Sequence, residues 1–101
     1  ESLHLQKPAY VFYLIESLLN SSENLSLSDT EKVELISSMI KGAAKLASVS
    51  EDSPKILRNK VTSPGGVTQR AIEEFEKNKL KEIIKESMES AEKRSIELGE
   101  N

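Results

Sequence analysis

Cysteine and tryptophan are both missing from this sequence, and it holds a single histidine, His4. Without a thiol there is no disulfide, no thiolate zinc site and no cysteine nucleophile, which agrees with a cytoplasmic setting. Aromatic residues are scarce as well: Tyr10, Phe12, Tyr13 and Phe75 leave any core almost wholly aliphatic. No excess of basic charge exists either. The 14 Lys and Arg are mixed among 17 Asp and Glu for a net charge of −3, so no stripe is available to neutralise a nucleic-acid backbone. Long apolar runs are absent: Ala9 to Ile15 spans seven residues, against the roughly 20 of a membrane helix. No charged-then-apolar leader opens the chain. These gaps predict a soluble domain whose partners are neither nucleic acid nor membrane. Metal is not expected: His4 stands beside the N-terminus, and Glu73, Glu74 and Glu76 have no histidine arranged with them.

What the sequence does have is helical punctuation. Its 101 residues, 37% of them apolar, suit one domain over residues 1–101 with a modest core of its own. Pro8 fits the first turn of a helix that runs through the apolar stretch to Leu18 and Leu19 and stops at the polar Asn20 to Asn24. Apolar on all sides, that helix needs cover on all sides, and a second chain is a natural source of it. Ser28-Asp29-Thr30-Glu31 reads as a capping box. The helix behind it keeps Val33, Ile36, Met39, Ile40, Ala43, Ala44 and Ala47 on one side, and Gly42-Ala43-Ala44 is small enough for another helix to approach. Ser53-Pro54 opens a short third helix through Ile56 and Leu57. A fourth runs from Val67 to Asn78, with Thr68, Ile72 and Phe75 on one face. A fifth runs from Leu80 to Leu98 with Leu80, Ile84, Ser87, Met88, Ala91, Ser95 and Leu98 in a stripe, and Gly99 supplies its stop. No segment alternates with a period of two, so strands are not expected. The fold class is all-α, about five helices.

One segment does not fit a simple bundle. Val61-Thr62-Ser63-Pro64-Gly65-Gly66-Val67-Thr68 places two glycines and a proline directly before a helix. The first N–H groups of a helix lack internal partners, and that end carries a partial positive charge. Glycines there leave room for a small anion, such as a carboxylate, to reach those groups. Thr68, one turn before Ile72, is expected to aim its hydroxyl along the buried face. The plainer alternative is a tight turn with Ser63 as an ordinary helix cap.

The stretch Lys60 to Glu76, preceded by Gly42-Ala43-Ala44-Lys45-Leu46-Ala47 and followed by Ser90 to Gly99, resembles the C-terminal domain of pyrroline-5-carboxylate reductases. Pro8 to Leu18 fits the same domain, and Thr-Ser-Pro-Gly-Gly-x-Thr is the family's signature. The resemblance implies an all-helical module that interlocks with a second copy as an obligate homodimer, with dimers assembling further into rings. It implies that Ser63, Gly65, Gly66 and Val67 bind the substrate carboxylate. It also implies that Thr68 bonds the ring nitrogen of the imine, and that Glu51 is the acidic residue before the short helix. The reaction so implied reduces 1-pyrroline-5-carboxylate to L-proline with NAD(P)H.

Two departures from the family pattern qualify this. The Rossmann unit with Gly-x-Gly-x-x-Gly is not in this sequence, so the expectation is a separated portion that binds no nicotinamide cofactor and is inactive alone. The family's usual Ser-Gly-x-Gly before Pro-Ala-Tyr reads Leu5-Gln6-Lys7-Pro8 here. The alternative reading is a helical dimerisation module without catalysis.

Overall fold

The computed structural model describes residues 4–99. After a short 3-10 helix, His4–Gln6, come five α-helices: α1 Ala9–Asn20, α2 Asp29–Val49, α3 Pro54–Lys60, α4 Val67–Lys77 and α5 Leu80–Glu97. No strand occurs among the described residues, as expected. The 3-10 helix includes Leu5 and Gln6. The side chain of His4 lies outside the described residues.

Local chemistry sets the boundaries. The box before α2 is complete: the Glu31 N–H donates to the Ser28 hydroxyl (3.1 Å), and the Ser28 N–H donates to the Glu31 carboxylate (2.9 Å). These bonds from the Ser28 backbone, then its side chain, hold the Glu31 carboxyl below the ordinary carboxylate range. Ser53 caps α3, its hydroxyl accepting from the Ile56 N–H at 3.3 Å. Pro8 stands one position outside α1, and its carbonyl accepts from both Val11 and Phe12. Gly99, with φ of 72°, follows α5 and donates to the Ile96 carbonyl. Between α4 and α5 a single lysine, Lys79, takes the left-handed conformation (φ 57°, ψ 45°), and Lys81 pairs with Glu76 across that junction at 3.7 Å.

The helices divide into two compact units. In the first, residues 8–58, α1 packs on α2. Ile15, Leu18 and Leu19 are half-buried on α1, and Ile36, Ser37 and Ile40 on α2. Lys32, on the same side of α2 as Ile36, is the most buried of the described residues. Lysine suits that place because its stem covers apolar surface while the ammonium reaches water. In the second unit, the described residues from Asn59 onward with residues 4–7, α4 and the 3-10 helix both pack on α5. Met88, Ala91 and Ser95 of the expected stripe are half-buried there, whereas Leu80, Ile84, Ser87 and Leu98 are exposed.

The expected core is not present within the chain. Among the described residues no hydrophobic side chain is buried; Phe12 is 66% exposed, Tyr13 71% and Ile84 53%. A Cβ at Gly42 would meet nothing within 4 Å, so within its own unit no described helix approaches that glycine closely. The reason is visible in the areas. The 11.2 kDa chain exposes 8582 Å². Two separate compact bodies of half that mass would expose only about 6,900 Å² together. The apolar stripes are formed, and much of each is exposed.

Candidate functional site: the Pro-Gly-Gly helix start

The segment between α3 and α4 is a tight turn followed by an uncapped helix. The Gly66 N–H donates to the Ser63 carbonyl at 3.0 Å, and Gly65 sits at φ 75°. With proline second and a positive φ third, Ser63–Gly66 is a type II turn. Gly66 is the N-cap of α4, with extended backbone and no side chain bonded to the helix end. So the turn half of the plainer alternative holds, and the cap half does not: Ser63 does not cap α4.

This geometry changes which donors are available. The Gly66 N–H is taken by Ser63, and the Gly65 N–H donates to Oε1 of Gln69, one turn into α4. Neither glycine N–H is open. The N–H groups of Val67, Thr68 and Gln69, first in the helix, have no intrahelical partner. The glycines also have reasons of their own. A Cβ at Gly65 would meet nothing within 4 Å but would be held at positive φ; a Cβ at Gly66 would lie 3.1 Å from the Ser63 carbonyl oxygen.

Around this helix start lies an open hollow lined by Gly65, Gly66, Val67, Arg70, Ala71 and Glu74. Arg70 is held loosely by Glu73 at 3.8 Å, both side chains largely in water. Thr68 is not part of that lining. It is exposed, contrary to the expected burial of its face: beside it Ile72 is only half-buried and Phe75 is exposed. Ser63 and Val67 are likewise exposed, Val67 at 90%. Ser63, Gly65, Gly66, Val67 and Thr68 thus come together on one loop. Glu51 does not join them within that unit: it stands exposed in the other, between α2 and α3. No group of three potential metal ligands occurs among the described residues. No helix among them is long and apolar enough to cross a membrane.

Sequence reasoning missed Gln69. Its signal was available: a glutamine three residues after an N-cap is placed to reach back over the helix start.

The fold and this loop define a helical domain whose apolar faces are only partly covered and whose glycine-rich turn opens a helix. The family model described as pyrroline-5-carboxylate reductase dimerisation matches residues 6–98. The chain is 38% identical over 93 residues to the pyrroline-5-carboxylate reductase of Pseudomonas aeruginosa, covering 92% of this chain and 34% of that protein. To the Arabidopsis thaliana enzyme it is 34% identical over 94 residues, 93% of this chain and 34% of the relative. Among solved structures it is similar to a pyrroline-5-carboxylate reductase from Coxiella burnetii, with a TM-score of 0.84 and 37% identity over 90% of this chain and 34% of that one. A Plasmodium falciparum pyrroline carboxylate reductase with NADP bound gives a TM-score of 0.82 at 32% identity, over 87% of this chain and 34% of that one. This chain belongs to the pyrroline-5-carboxylate reductase dimerisation family. It spans about a third of the length of the relatives it matches.

Proposed function

We propose that this chain is the dimerisation and substrate-carboxylate portion of a cytoplasmic pyrroline-5-carboxylate reductase, which reduces 1-pyrroline-5-carboxylate to L-proline with NAD(P)H. Two copies form a homodimer, and dimers join into rings. The residues of this chain do not fit a nicotinamide nucleotide: no strand-to-helix Gly-x-Gly-x-x-Gly turn is present among them. The nucleotide therefore belongs to a Rossmann domain in the part of the protein outside this chain, and the chain alone is inactive.

The observation that carries the reading is the type II turn that delivers an exposed, uncapped α4 within a family match spanning residues 6–98. An exposed helix start with free N–H groups and a partial positive charge suits a carboxylate. The available donors narrow the expectation. The Val67 and Thr68 N–H groups, with the Ser63 hydroxyl, bind the carboxylate, and Gly65 and Gly66 shape the turn that presents them. The Thr68 hydroxyl bonds the ring nitrogen, and Glu51 is a further substrate-binding residue.

Thr68→Ala in the full-length protein tests this. It removes the hydroxyl and leaves the turn and the N–H groups in place. Alanine is the better helix former, so the melting temperature holds or rises slightly. Turnover falls on the order of 10-fold to 1,000-fold if the hydroxyl bonds the reacting ring mainly in the transition state. Turnover within about twofold of wild type removes Thr68 from the site.

A further inference from the structure

The two glycine N–H groups of the turn are satisfied from different directions. Gly66 is bound within the turn, to Ser63, whereas Gly65 is bound from the helix, by Gln69. Gln69 is half-buried, while Thr68 and Arg70 on either side of it are exposed. We propose that Gln69 is a positioning residue for the substrate carboxylate: its side-chain carbonyl ties Gly65 back to α4 and fixes the turn in the shape that keeps the Val67 and Thr68 N–H groups open to the anion. This rests on the functional reading above.

The physical case is one of preorganisation. Consecutive glycines have more conformational freedom to lose than any other pair, so a Gly-Gly hinge before a helix wanders unless something holds it. The Ser63–Gly66 bond closes the turn, and the Arg70 N–H on the Gly66 carbonyl ties only its last residue to the helix, so Gly65 is held by neither. The Gln69 bond supplies the missing tie, since it joins the third residue of the turn to the first turn of α4. With the tie in place, the carboxylate meets donors already aimed at it. Without it, ordering the loop is charged to every binding event. Gln69 touches no substrate in this account; it acts through Gly65.

The test is steady-state kinetics on the full-length protein, with amide hydrogen exchange at Gly65. Gln69→Ala raises the KM for 1-pyrroline-5-carboxylate about tenfold, leaves kcat and the nucleotide KM within about twofold, and speeds exchange at Gly65. Gln69→Glu keeps the acceptor and restores Gly65 protection and stability to near wild type, while its negative charge keeps the KM for the anionic substrate raised. An unchanged substrate KM in Gln69→Ala, whatever the exchange rate, overturns the proposal and leaves the functional reading standing. So does a parallel fall in kcat and stability that Gln69→Glu does not rescue. A wild-type protein that does not reduce 1-pyrroline-5-carboxylate overturns the functional reading, and this proposal with it.

Discussion

Gly65 and Gly66 show how one residue type answers to two causes. Read from sequence, both glycines clear space for an anion. In the structure each is required by the turn itself, Gly65 by its φ of 75° and Gly66 by the Ser63 carbonyl that a Cβ would crowd at 3.1 Å. The two explanations separate on substitution. Gly65→Ala costs about 1–2 kcal/mol from the left-handed backbone. Gly66→Ala costs about 1 kcal/mol, because alanine is a poor N-cap and its Cβ presses on Ser63. Both losses read out as lowered melting temperatures of the full-length protein. Unchanged melting temperatures with a raised substrate KM would return both glycines to ligand approach. The segment was legible as a helix start; its internal hydrogen bonds were not. Whether an N–H is open depends on where Gln69 folds its side chain, and spacing alone leaves that rotamer open.

Helices were the most legible feature, because their ends are written in local chemistry. Ser28 with Glu31, Ser53 before Pro54, and Gly99 after Leu98 each act within one turn, and each does in the structure what its spacing implies. The α4–α5 junction was legible as a break and not as a cause. Lys79 sits in the left-handed region that favours glycine, held by its N–H to the Glu76 carbonyl and flanked by the Asn78 amide on the Glu74 carbonyl (2.9 Å). A lysine there is strained by about 1–2 kcal/mol, and glycine would recover most of it less its own chain entropy. Lys79→Gly is therefore expected to stabilise the protein by up to about 1 kcal/mol, a rise of a few degrees in melting temperature. A fall in melting temperature would mean that the lysine side chain contributes more than its backbone costs.

At the scale of the molecule, the exposed parts of the stripes carry the argument. Periodicity shows which side of a helix is apolar, and it is silent on whether the cover comes from the same chain. Hence α1, α2 and α5 were placed correctly while the expected core was not found. Relative to two compact bodies of half its mass, the chain exposes about 1,700 Å² too much, or about 3,400 Å² for two copies. Obligate dimers bury about 2,000 to 5,000 Å² in total, so one partner of the same kind removes an excess of this order. Ile84, on the exposed side of α5, is the place to interrupt that surface, since an aspartate there would leave an unpaired charge in the interface. Sedimentation equilibrium on this chain at micromolar concentration tests the claim most directly, with Ile84→Asp alongside. The account predicts a helical wild-type species at twice the 11.2 kDa chain mass, and an unfolded or aggregated Ile84→Asp chain. A well-folded wild-type monomer of 11.2 kDa would contradict it.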